Sequence, residues 1–141
     1  MVEIHGWITL RYSDYHSVDA AQNDFVYRFK QFVIKHCAWV LDEGIGSLTN
    51  RNGLACFTVN VQHNHPGEPF YPLDIFTWAA ENSTGSYGIL YVHDDESEIL
   101  HNEFQVFILK RGSLKRVQDP FLSPYFEEVE KAYDEANPSQ D

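Results

Sequence analysis

GSYGILYVHDDESEILHNEFQVFILKR (residues 85–111) reads as two strands, Tyr87–His93 and Glu103–Arg111, joined by an acidic loop that carries Asp94, Asp95, Glu96 and Glu98. Tyr, Ile, Leu, Val and Phe crowd both strands, and these residues suit a pleated, half-buried surface. In the first strand Tyr87, Ile89, Tyr91 and His93 share a face opposite Leu90 and Val92. In the second, Phe104, Val106 and Ile108 oppose Gln105, Phe107 and Leu109. Both faces are substantially apolar, which predicts a hairpin that sits centrally in a sheet rather than at an edge. The loop between the strands is a concentration of negative charge on a stiff base.

Working outward, residues 2–11 alternate, with Val2, Ile4, Ile8 and Leu10 on one face and Glu3, His5, Trp7, Thr9 and Arg11 on the other. This predicts a strand with one core face, and Gly6 within it marks a bulge or a close approach to the backbone. Asp19 and Gln22 offer a capping box for a long helix that ends near Glu43, with Gly44 as a left-handed C-cap. Phe25, Phe29, Phe32, Val33, His36 and Val40 form its apolar stripe, Trp39 lies close to it, and His36 reads as a core or rim histidine. GIGSLTNRNG, residues 44–53, reads as a loop. Its GxG follows a helix, unlike a phosphate-binding fingerprint. Leu54–Gln62 alternates as a strand, and His63–Pro69 is a turn-rich connection. Pro72 opens a second helix that runs to about Asn82, with Leu73, Phe76, Thr77 and Ala80 as its inner stripe. Leu114–Gln118 adds a short edge strand protected by Lys115 and Arg116. Asp119–Pro124 is an irregular strap, followed by an acidic tail from about Glu127. The expected architecture is α+β: a single, largely antiparallel sheet with two helices on one face, in the order β-α-β-α-β-β and a further β. Residues 1–141 are expected to form a single domain.

The chain has 141 residues, 43 % hydrophobic and 15 % aromatic, enough for a hydrophobic core and too apolar for a wholly disordered chain. Its formal charge of −11, from 21 acidic and 10 basic residues, argues against nucleic acid as a direct ligand and favours either a basic partner or plain solubility. Cys37 and Cys56 lack metal-type spacing and read as buried reduced thiols, although a disulfide between them stays open. With no signal peptide and no membrane-spanning run, the expected location is cytoplasmic.

Chemistry leaves few openings. His63 and His65, with Glu68 behind them, have the spacing of a metal pair, but Pro66 and Gly67 interrupt the strand that would align them. His93, Asp94 and Asp95 are too close in sequence for all three to converge. There is no GxSxG elbow, no nucleophilic cysteine context, and no sign that Asp94 and Asp95 flank a cleft as a glycosidase pair would. Neither catalytic residue nor cofactor is expected. A metal-dependent enzyme built on His63, His65 and Glu68 is one rival, and an unrelated acidic interaction module is another. What remains is acid on a frame: Asp94, Asp95, Glu96 and Glu98, with Glu127, Glu128 and Glu130 further on. Tyr12, Tyr15 and Trp78 are expected at exposed rims. A protein that inhibits a nucleic-acid-cutting enzyme needs such a surface, since carboxylates stand in for phosphates and aromatics anchor the contact.

EIHGWI (3–8), the Asn50-Arg51-Asn52 run, GSYGILYVHDDE (85–96), EFQVFILKRGSL (103–114) and DPFLSP (119–124) together resemble the immunity protein 7 family of bacterial polymorphic-toxin and contact-dependent growth inhibition systems. The resemblance spans most of the chain in the expected order. It implies a small cytoplasmic α+β protein that neutralises a cognate toxin domain by protein–protein interaction, the toxin being basic and nuclease-like. Trp7, Tyr87, Gly88, Asp94, Asp95, Arg111, Asp119 and Pro120 fall on the family's pattern, several of them as structural residues. Asp119-Pro120 would turn the strap, and Arg111 would pair with an acid. The partner-binding residues expected are Asp94, Asp95, Glu96, Glu98, Tyr15 and Trp78, with no direct nucleic acid and no membrane involved.

Overall fold

The structure, a computed structural model, describes residues 1–16, 18–63, 71–131 and 133–136. Its elements are β1 (Val2–Leu10), α1 (Asp19–Asp42), β2 (Gly46–Arg51), β3 (Leu54–His63), α2 (Tyr71–Asn82), β4 (Tyr87–Asp94), β5 (Gln105–Lys110), β6 (Ser113–Gln118) and the short turn of helix α3 (Tyr125–Glu128). The six strands form one sheet in the order β2-β3-β1-β4-β5-β6, and every neighbouring pair is antiparallel. The fold is α+β with two main helices, as the sequence pattern implied, but with one strand more.

That strand is β2. The glycines and asparagines of residues 44–53 read as a loop, yet Gly46–Arg51 pairs with β3, Leu48 opposite Phe57. Asn52 and Gly53 turn the corner with φ of 54° and 78°. Consecutive positive φ values make the tight hairpin turn that matches strand twist, and Asn-Gly is its favoured pair. Gly46 is needed for packing, since a Cβ there would overlap Val40 of α1.

Period-2 alternation sorts the sheet into two faces. Val2, Ile4, Ile8 and Leu10 of β1, Phe57, Val59 and Val61 of β3, and Leu90 and Val92 of β4 are buried on one side. Both helices cover this side. From α1 come Phe25, Phe29, Val33, Cys37 and Val40, all buried, and the Phe29 ring sits 5.5 Å from that of Phe57. From α2 come Ile75, Phe76 and Ala79. This is one step round from the expected stripe: Leu73, Thr77 and Ala80 are only half-buried. Apolar residues occur all round α2, so its periodicity could not fix the phase. α1 starts at Asp19 without a capping box, Val18 being its N-cap. Gln22 instead accepts from the Tyr12 amide at 2.8 Å and donates to the Leu10 carbonyl at 2.9 Å, tying the helix start to the end of β1. His36 is exposed and rests on Phe32, ring centres 4.8 Å apart.

The second face carries Trp7, Tyr87, Ile89, Tyr91, His93, Val106 and Ile108, and it is covered only at one end. Trp7 and Tyr87 remain about 40 % exposed and meet edge to face at 6.0 Å. The two-sided apolarity of β4 and β5 therefore reflects an open aromatic face rather than burial on both sides. Gly88 lets β1 and β4 close up, because a Cβ there would overlap the Trp7 carbonyl oxygen. Cys56 also lies on this open face, half-buried rather than buried. Cys37 lies on the buried, opposite side, within α1, and both thiols are free.

Candidate functional site

At one end of the sheet β4 leaves the core as Asp94 and runs into a series of tight turns. The Asp94 carboxylate accepts the Glu96 amide at 3.0 Å and its carbonyl accepts the Ser97 amide at 3.2 Å. Ser97 Oγ then accepts the Leu100 amide at 3.0 Å, and Leu100 the Glu103 amide at 3.1 Å. Asp and Ser are the residues that make such local bonds. His93 and His101 close the loop at its base, Nε2 to carbonyl oxygen at 2.8 Å. Asp95, Glu96 and Glu98 are thus exposed on an ordered base. The Met1 ammonium sits 2.6 Å from Asp95 and 3.6 Å from Glu96. Its pKa is raised, chiefly by the Asp95 hydrogen bond, against a smaller desolvation effect.

The strap brings a second acidic run to the same place. Asp119 is 6 % exposed, and its carboxylate accepts the amides of Phe121 and Leu122 at 2.9 and 3.0 Å and the Ser123 hydroxyl at 3.1 Å. Ser123 Oγ in turn accepts the Phe104 amide at 2.8 Å. The chain then docks on Asn102, whose carbonyl accepts the Tyr125 amide and whose side chain accepts that of Phe126, both at 2.7 Å. Tyr125 stacks on His93 at 4.6 Å, and His93 packs on Phe104 at 4.8 Å. Through these contacts Glu127, Glu128 and Glu130, all exposed, come to lie beside the 94–103 turns. Seven carboxylates from two distant runs, with Glu103, edge one end of the molecule.

The other expected contact residues lie elsewhere. Tyr15 is 93 % exposed but follows the far end of β1, one strand length from Asp94. Trp78 is half-buried between the helices, stacked on Phe25 at 5.8 Å and Phe32 at 5.4 Å. Its edge lines a cleft with His36, Asp74 and Glu81. Tyr12 tilts against Phe25 at 6.0 Å. At that far end a cleft of about 650 Å³ is lined by Tyr12, Arg28, Ser83 and Arg111. Arg111 is paired with Asp14 at 3.0 Å and Arg28 with Asp24 at 2.9 Å, so both cations are already matched. His65 and Glu68 lie outside the described residues, as does the side chain of His63. Among the described residues no cluster of three or more His, Cys, Asp or Glu side chains is arranged to hold a metal. No helix among them is long and apolar enough to cross a membrane.

Sequence reasoning missed the open aromatic face, for which apolar residues at both odd and even positions of β4 were the signal. It also missed the row on that face in which His5 bridges Glu3 and Asn60, each at 2.7 Å. Burial works to lower the His5 pKa, but the bonds to Asn60 and Glu3 and the Glu3 charge raise it overall.

Fold and site define an α+β protein whose most strongly charged feature is a stiff anionic end of its sheet. Residues 1–131 match the family described as Immunity protein 7, and the chain belongs to that family. The function that membership implies is neutralisation of a toxin. No curated protein and no solved structure matches the chain.

Proposed function

We propose that this chain is a non-catalytic cytoplasmic immunity protein that binds a cognate nuclease domain through its acidic end and bars nucleic acid from the active site. The observation that carries this is the docking of the strap on Asn102, which brings the run of Glu127, Glu128 and Glu130 to the series of turns that begins with Asp94, Asp95, Glu96 and Glu98. Carboxylates gathered on one surface repel one another, and a structure that holds them together gains when a basic surface arrives. A nuclease presents such a surface, because it must grip phosphates. Steering by opposite charge speeds the encounter and lets the inhibitor compete with nucleic acid for the same cationic groups. Tyr15 joins this contact only with a toxin that spans β1, about 30 Å for its nine residues. Trp78 joins it only through the edge it shows in the interhelical cleft.

Co-expression with the cognate toxin module tests the proposal. Protection of the cell, with a stable complex of the two purified proteins, is the expected result. Growth arrest despite soluble expression of the chain overturns it, as does turnover of a substrate by the purified chain alone.

A further inference from the structure

Along the helix-facing side of β4 run Gly88, Leu90, Val92 and then Asp94, paired in register with the core row of β1, so that Asp94 lies opposite Val2. An apolar side chain is the ordinary occupant of that fourth position. A carboxylate stands there instead. On β5, Gln105 pairs with Val92 and puts a second polar group on the same side. Between them and the first turn of α2 lies a cleft of about 220 Å³, walled by Ile4, Leu73, Leu90, Val92 and Phe107, with Asp94 and Gln105 among its lining. At ~30 Å³ per water-sized group that is room for about seven such groups, the size of one long side chain.

We propose that this cleft seats one lysine or arginine side chain of the toxin, its methylenes along Leu90, Val92 and Phe107 and its cationic head against Asp94 and Gln105. The inference rests on the function proposed above. An apolar wall with one acid and one amide at its rim matches an amphipathic cation, which buries its stem and keeps its charge paired. A wholly apolar guest would desolvate Asp94 without a partner, and an acidic guest would meet Asp94, Asp95 and Glu96 together. The positive end of the α2 dipole opposes a cation, and Asp74 in the first turn offsets it. One oxygen of Asp94 holds the Glu96 amide. Among the described residues nothing donates to the other, nor does the Gln105 side-chain amide form a hydrogen bond, so both this carboxylate oxygen and the Gln105 Oε1 are available to accept from a guanidinium fork.

n-Butylguanidinium is the probe, with neutral n-butylurea as its shape control, titrated into methyl-labelled protein and followed by NMR. Saturable shifts at the Ile4, Leu90 and Val92 methyls are expected, with the cation bound at least ~10-fold more tightly than the urea and that preference lost in Asp94→Asn. Leu73→Trp, which fills the cleft but keeps the acid, should abolish the methyl shifts while the fold, read from amide dispersion, persists. Equal binding of the urea overturns the proposal, as do shifts confined to the amides of residues 95–98. With the cognate toxin domain, Asp94→Asn should raise the dissociation rate at least ~10-fold. An unchanged dissociation rate also overturns it. If the wild-type chain fails to bind that toxin at all, the functional proposal falls while the butylguanidinium titration still decides the cleft.

Discussion

Replacing Asp119 by alanine should release the strap while leaving the rest of the sheet folded. The side chain is almost wholly buried and its two oxygens hold two amides and a hydroxyl. Hydrogen bonds to a charged group contribute about 1.5–3 kcal/mol each, while loss of a comparable cap costs ~0.5–2 kcal/mol because water recovers part of the bonding. The strap lies at the surface, so rehydration is partial, and a local loss of about 2–4 kcal/mol follows. At ~1.4 kcal/mol per tenfold, the open population rises roughly thirty- to several-hundred-fold. Amide hydrogen exchange reads this directly: Phe121, Leu122, Tyr125 and Phe126 should lose protection by that factor while Ile8 and Leu90 keep theirs. Asp119→Asn, which retains one acceptor oxygen, should fall between. Unchanged exchange at Phe121 and Leu122 in the alanine variant would show that this carboxylate does not hold the strap. Because the strap positions Glu127, Glu128 and Glu130, the same variant should also bind the toxin more slowly.

Gly88→Ala should cost about 3 kcal/mol or more in urea unfolding, because neither the Trp7 carbonyl nor the Ile8 backbone can yield to a new methyl; a stable variant would place the β1–β4 spacing in error. Phe57→Ala, beneath Phe29 and fully buried, should lose about 3–5 kcal/mol by the same measurement, and a loss under ~1 kcal/mol would contradict its central position. With a disulfide-exchange reagent at pH 8, Cys56 should react well before Cys37, whose pKa burial pushes up to about 11; equal rates would refute this. His5 has a raised pKa when folded, so its pairing with Glu3 should contribute stability fully below its ordinary value of about 6.5, lost as pH rises through the folded value. His5→Gln should remove that slope from a pH series of unfolding midpoints, and an unaltered slope would contradict the pairing.

Much of the fold was visible in residue order because the strands alternate cleanly: Ile4, Ile8 and Leu10 in β1 and Phe57, Val59 and Val61 in β3 each mark one buried row. The failures have local causes. β2 was hidden by Gly44, Gly46 and Asn50, although Asn52-Gly53 was a hairpin signal in plain view. Gln22 was drawn from its capping position by the nearby ends of β1. In α2, Pro72 to Ala80 offer too few polar residues to set a phase. For the site, the acidic runs were evident as charge, and the 94–98 loop was recognisable from its flanking strands. That the run after Glu127 lies beside that loop depends on Ser123 and Asn102 acting across 19 and 24 residues of sequence separation, which no local pattern encodes. That most of Trp78 stacks between the two helices was not legible, because an aromatic on a helix looks the same in sequence whether it faces solvent or a second helix.

Association kinetics with the cognate toxin domain, followed across ionic strength, test the acidic end most directly. Wild-type binding should slow steeply with added salt. A variant carrying Asp95→Lys, Glu96→Lys and Glu98→Lys should associate at least ~10-fold more slowly at low salt and show little salt dependence. Identical rates and identical salt slopes for the two proteins would mean that the toxin docks elsewhere on the molecule.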